Sequence, residues 1–167
     1  MLDTESVIAR IAQYLDEDGL ANHKWDDEPK LESGFQGRNG HYRVVIRTLD
    51  GPTTILQVAV LLPDVAPKKL RGSMAEAVVR ANYRLWAGHF DLDMSDGELR
   101  FCAAMPVADS TVTHDQFMHL FAGATFYADQ YDRAFKRLIC DADLSPAQAI
   151  AELEMAWAEA QKGKEPE

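Results

Sequence analysis

Twice in this chain, apolar and polar residues alternate one for one on both sides of an Asp-Gly pair. In His41–Leu49, Tyr42, Val44 and Ile46 alternate with Arg43, Val45 and Arg47. In Thr54–Leu62, Leu56, Val58, Val60 and Leu62 share one face, and Asp50-Gly51 stands between the two runs. Further on, Phe90, Leu92 and Met94 alternate with His89, Asp91 and Asp93. Asp96-Gly97 follows, and then Leu99, Phe101, Ala103 and Met105 alternate with Glu98, Arg100, Cys102 and Ala104. A period of two sends successive side chains to opposite faces of a strand, and Asp-Gly supplies the positive φ of a hairpin turn. Two hairpins with one buried and one wet face are therefore expected. Pro52 opens its return strand, where a missing N–H is tolerated near the end.

The remaining segments change period. Val7, Ile8, Ile11 and Leu15 make one helical stripe over Glu5–Asp18, with Thr4 as N-cap and Gly19 just past the end. Residues 20–32 are polar and acidic, apart from Trp25, and read as a loop that anchors on that indole. A short strand follows near Leu31–Gly37. After Pro63 and Pro67 a second helix runs to about Trp86, with Ser73 and Glu76 as a capping box and Gly88 as its stop. Met74, Val78, Ala81 and Leu85 form its core stripe. Val79, Tyr83 and Trp86 form a second stripe about 100° round, more than one sheet face needs. A long helix spans His114–Ile139, opened by a Thr113/Gln116 capping box and buried through Phe117, Leu120, Phe121, Tyr127, Ala128, Tyr131, Phe135 and Leu138. The last helix has Ser145 as N-cap, Pro146 at N1, Gln148 at N3 and a seam of Ile150, Leu153 and Trp157. The order is α-βββ-α-ββ-α-α. It implies an α+β fold, an antiparallel or mixed sheet of about five strands with helices mainly on one face. Residues 1–162 are expected to form a single domain and 163–167 a frayed tail.

Charge narrows the function. The net charge is −10 and the pI about 4.9. Residues 1–32 hold nine acids and three bases, 141–167 hold seven and two, and 33–140 hold eleven and twelve. An acidic chain with a neutral middle offers no basic patch for nucleic acid or for an anionic membrane surface. No apolar run approaches the ~20 residues of a membrane span. The acidic start Met1–Glu5 is unlike a basic leader, and Cys102 and Cys140 are too few for a disulfide framework. A cytoplasmic protein with reduced thiols is expected.

Chemistry-bearing patterns are sparse. Asp91, Asp93, Asp96, Gly97 and Glu98 resemble a calcium loop, but counting from Asp91 puts Asp96 where glycine is required and Cys102 where glutamate is required. His89, His114 and His119 give no metal spacing, since His114 and His119 stand about 140° apart on their helix. Cys102 falls on the polar face of its strand with His89 as a possible neighbour, without an oxyanion device. Cys140 sits at the wrong helix end for thiolate activation. Ser33-Gly34 and Gly72-Ser73 lack a nucleophile elbow. Asn82, a poor helix former, is read as a tie between helix and hairpin. Tyr83 and Trp86 with Val79 are read as a protein-contact surface. No catalytic residue, metal or cofactor is expected.

The stretch Ala81-Asn82-Tyr83-Arg84-Leu85-Trp86-Ala87-Gly88-His89-Phe90-Asp91-Leu92-Asp93, followed by Asp96-Gly97-Glu98-Leu99-Arg100, resembles the YbjN family of bacterial sensory transduction regulators. The resemblance extends back through Gly37-Arg38-Asn39-Gly40 and forward into the helix holding Asp132, about residues 5–140. Asn82, Gly88, Phe90, Asp96 and Gly97 carry its structural signature. It implies a fold like that of the type III secretion chaperones, hence a homodimer holding an unknown protein partner. The expected function is a non-catalytic, chaperone-like or regulatory protein-binding module. The alternative is a small-ligand sensor or enzyme with a pocket between sheet and helices.

Overall fold

A computed structural model describes residues 4–107 and 112–162. The elements are α1 (Thr4–Glu17), β1 (Asn22–Lys24), β2 (Lys30–Gln36), β3 (His41–Leu49), β4 (Thr54–Leu61), a 3-10 turn (Lys68–Leu70), α2 (Arg71–Asn82), β5 (His89–Leu92), β6 (Leu99–Val107), α3 (His114–Cys140) and α4 (Pro146–Lys162). The expected tail, 163–167, lies outside the described residues.

Six strands form one sheet in the order β1-β2-β3-β4-β6-β5, every pairing antiparallel. Among the described residues the sheet therefore has one strand more than expected and no parallel pair. The extra strand is β1, Asn22-His23-Lys24, which pairs with Leu31–Ser33 inside the segment read as a loop. A three-residue polar edge strand has no apolar face to bury, so it leaves no alternation to read.

Alternation decides which side is covered. Leu31, Tyr42, Val44, Ile46, Leu56, Val58, Val60, Phe101 and Ala103 point inward and pack with Ile8, Ile11, Leu15, Phe117, Phe121, Ala128 and Phe135 in one core. Arg43, Arg47, Gln57 and Arg100 occupy the outer face, exposed or half-buried. Removing this apolar surface from water is the main stabilising contribution, about 1.5–3 kcal/mol for each fully buried large side chain.

Several ends differ from expectation. Thr4 is the first residue of α1, not its cap. The α1 exit does match: Gly19 has φ 70, and its N–H and that of Leu20 bond back to Asp16 and Leu15. The first hairpin turns through Asp50–Thr53 without a positive φ at Gly51, because pairing resumes at Leu49–Ile55 and leaves a wider loop. The second turn does use Gly97, at φ 92. Ser73 is internal to α2, since the 3-10 turn leads directly into Arg71 and displaces the predicted capping box. The helix stops at Asn82, short of Trp86. Gly88 belongs to the entry of β5, not to a helix end. The capping boxes of α3 (Thr113, Gln116) and α4 (Ser145, Gln148) form as read.

Candidate contact surface and polar clusters

The end of α2 places the aromatic group. Met74, Ala77, Val78 and Ala81 take its buried side. Val79, Tyr83 and Trp86 are exposed, Tyr83 by 89% and Trp86 by 98%. Tyr83 and Trp86 lie in the tightened turn beyond the helix, so the three do not form one helical stripe. Tyr83 and Trp86, but not Val79, line a groove of about 650 Å³ together with Arg84, Tyr127, Tyr131, Glu154, Trp157 and Ala158. Arg84 pairs with Glu154 at 3.3 Å, and the Tyr131 hydroxyl donates to the same carboxylate at 3.3 Å. Burial, with that carboxylate second, pushes the Tyr131 phenol above its ordinary range. Tyr127 and Trp157 meet edge to face at 6.2 Å, continuing the apolar floor.

Asn82 ties helix to hairpin. Its amide nitrogen donates to the Phe90 carbonyl at 3.0 Å, and its oxygen accepts the Phe90 N–H at 2.7 Å. These two bonds occupy the side of β5 that no strand pairs. Gly88, at φ 98, lies where a Cβ would strike the Cys102 carbonyl and the Phe101 ring. At Gly97 a Cβ would strike the Ala66 carbonyl. Asp96 accepts the Glu98 N–H at 2.8 Å, and Asp93 accepts the Ser95 N–H at 2.7 Å and its hydroxyl at 2.6 Å. Arg71, not singled out from sequence, donates to the carbonyls of Met94 (3.0 Å), Ser95 (2.7 Å) and Asp96 (2.7 Å). The turn backbone is thus tied to the start of α2 by a guanidinium.

On the outer face of the same hairpin, His89 pairs across the strands with Cys102 and Asp91 with Arg100. Asp91 accepts from Arg100 at 3.2 Å and from the Cys102 thiol at 3.4 Å, and His89 Nε2 lies 3.4 Å from it. Burial, and then the Asp91 charge, push the Cys102 thiol up to about 11. It is protonated at neutral pH and unsuited to attack. Cys140 is exposed and unpaired.

One polar cluster escaped the sequence reading. The Tyr42 hydroxyl reaches two carboxylates of α3, Asp129 Oδ1 at 3.0 Å and Asp132 Oδ2 at 2.8 Å, which are 5% and 1% exposed. Asn39 donates its N–H to Asp129 at 2.8 Å, and Lys136 pairs with Asp132 at 2.7 Å and with the Asn39 carbonyl at 2.8 Å. A Cβ at Gly37 would strike Asp129, which explains the glycine in the β2–β3 turn. The available signal was two acids, at 129 and 132, inside the apolar stripe that includes Ala128, Tyr131 and Phe135.

The other candidates are kept apart. His114 bonds Asp18 at 2.9 Å and His119 its own Asp115 carbonyl at 2.7 Å. Trp25 lies under the Lys30 ammonium at 4.0 Å. Ser33 donates to the Ala21 carbonyl at 2.8 Å. No helix among the described residues is long and apolar enough to cross a membrane.

Residues 8–137 match the model of the YbjN family, described as "Putative bacterial sensory transduction regulator". The chain is also similar to the crystal structure of YbjN from E. coli, described as "a putative transcription regulator". That similarity has a TM-score of 0.53 and 18% identity, and covers 81% of this chain and 90% of that one, a likeness of fold. No curated protein matches.

Proposed function

The chain belongs to the YbjN family, and on that premise we propose that it is a non-catalytic regulatory module that works by binding protein, first of all a second copy of itself. One observation carries this reading: Trp86 and Tyr83 stand almost fully in solvent at the rim of an apolar groove. Tyr and Trp are the residues that most often dominate binding energy when buried at an interface. A protruding indole beside a concave apolar floor is self-complementary. Across a two-fold axis, each copy's Trp86 can enter the other's groove. The chaperone-like form of the proposal puts an extended partner segment in that groove instead. The protonated Cys102 and the carboxylates committed to internal partners support the non-catalytic reading. The acidic composition and two unpaired cysteines support a cytoplasmic location, and the shared core supports reading residues 1–162 as one domain.

Light scattering after size exclusion, at several concentrations, tests the dimer. The full chain is expected to run as a dimer. Tyr83→Ala with Trp86→Ala is expected to run as a folded monomer that still unfolds cooperatively, because neither side chain serves the core. A wild-type chain that stays monomeric at every concentration removes the proposal.

A second reading, a small-ligand sensor, has one observation in its favour. A groove of about 570 Å³ between the β2–β3 turn and α3 and α4 is lined by Phe35, Arg38, Thr125, Phe126, Asp129 and Trp157, among others. Strong thermal stabilisation by a metabolite that is lost on Arg38→Ala would favour it.

A further inference from the structure

The outer face of the β5–β6 hairpin gathers three side chains of the kinds that bind zinc. His89 and Cys102 are cross-strand partners, and Asp91 follows two residues along β5 on the same face. One ligand atom from each lies within 4.8 Å of the other two. His89 Nε2 is 3.4 Å from one Asp91 oxygen, and the Cys102 sulfur is 3.4 Å from the other. Tetrahedral zinc with bonds of ~2.0–2.3 Å separates its ligand atoms by roughly 3.3–3.8 Å, so His89 and Cys102 each stand at ligand spacing from one of the two Asp91 oxygens. Among the described residues no other set of His, Cys, Asp and Glu converges this way.

We propose that His89, Asp91 and Cys102 bind a divalent cation of the zinc class, leaving a fourth position open. The scaffold is firm, because β6 lies between β4 and β5 and Cys102 is only 1% exposed. His89 is exposed and Asp91 half-buried, so the open position faces solvent. On binding, the Cys102 thiol releases its proton to solvent and the thiolate becomes a ligand. The hydrogen bond from the thiol to Asp91 is exchanged for two bonds to the metal. Arg100, bonded to Asp91 at 3.2 Å, remains as the carboxylate's outer partner and fixes its orientation. Burial alone accounts for Cys102 as a small apolar residue. It does not account for an imidazole and a carboxylate on its open side at this spacing. The site shares no residue with the groove beside Tyr83 and Trp86, and its test reads metal binding rather than oligomeric state, so it stands or falls independently of the dimer.

Cobalt(II) titration of the full chain under reducing conditions tests this directly. The expected result is a near-ultraviolet thiolate-to-cobalt band with visible bands of tetrahedral intensity, both removed by zinc. Cys140→Ser is expected to keep the spectrum and Cys102→Ser to lose it. His89→Ala and Asp91→Asn are expected to weaken binding by at least about tenfold. If Cys102→Ser does not fold, the comparison of wild type with Cys140→Ser still decides, since the chain has two cysteines. Absence of the thiolate band, its survival in Cys102→Ser, or its loss in Cys140→Ser overturns the proposal, and heat of binding without the band does so too.

Discussion

Tyr42 shows how one hydroxyl governs a buried site. Its O–H is shared by two carboxylates, and the same two oxygens also accept from the Asn39 N–H and the Lys136 ammonium. Buried carboxylates are tolerated when hydrogen-bonded and costly when a partner is removed. Tyr42→Phe keeps the ring among its neighbours and deletes only the donor. It is expected to destabilise the protein by about 1–3 kcal/mol in urea denaturation with an unchanged slope. A neutral result would mean that water replaces the hydroxyl and that the cluster is open. Asp132 was visible in the sequence as part of a resemblance. Its burial was not, because an acid in an apolar stripe reads as a break in the pattern until its partners are known.

At the scale of elements, the second hairpin is held from α2 by two side chains. Arg71 at the helix start grips the turn, and Asn82 at the helix end grips the backbone of β5. Edge strand β5 thus has its free side occupied by an amide where another strand would pair. Asn82→Ala leaves the Phe90 N–H and carbonyl without these partners. A cost of about 1–3 kcal/mol is expected, together with faster amide exchange confined to 89–92. Uniform exchange across the sheet would place the effect elsewhere. The caps of α3 and α4 were legible because a capping box is local, spanning four residues. The false box at Ser73 was not distinguishable from them, since the 3-10 turn that displaces it depends on where Pro67 and Arg71 are held.

For the whole molecule, high pH is the informative condition. Burial, reinforced by Asp132 and Asp129, pushes the Tyr42 phenol far above its ordinary 10.0, and burial raises Tyr131 as well. Above that pH the unfolded chain releases phenolic protons that the folded chain keeps. The unfolded state then binds fewer protons, so stability falls as pH rises. The stability these phenols contribute is expected to be intact below about pH 9 and to decline beyond about pH 10. The slope approaches about 1.4 kcal/mol per pH unit for each phenol that stays protonated. Urea midpoints measured from pH 8 to 11 check it. A midpoint that is flat to pH 11 would show that both phenols ionise freely in the folded state.

What the sequence determined by itself is whatever repeats at short range. It determined the two hairpins with their inward and outward faces, the helical stripes, the caps at Thr113 and Ser145, and the α+β order, since periodicity and hydrogen bonds over three or four residues need no distant partner. Tertiary structure alone decided the rest. It recruited β1 as an edge strand, ended α2 at Asn82, buried Asp129 and Asp132 against Tyr42, and brought His89, Asp91 and Cys102 to one point. Each of these depends on groups far apart in the chain whose meeting is set by strand register and helix docking.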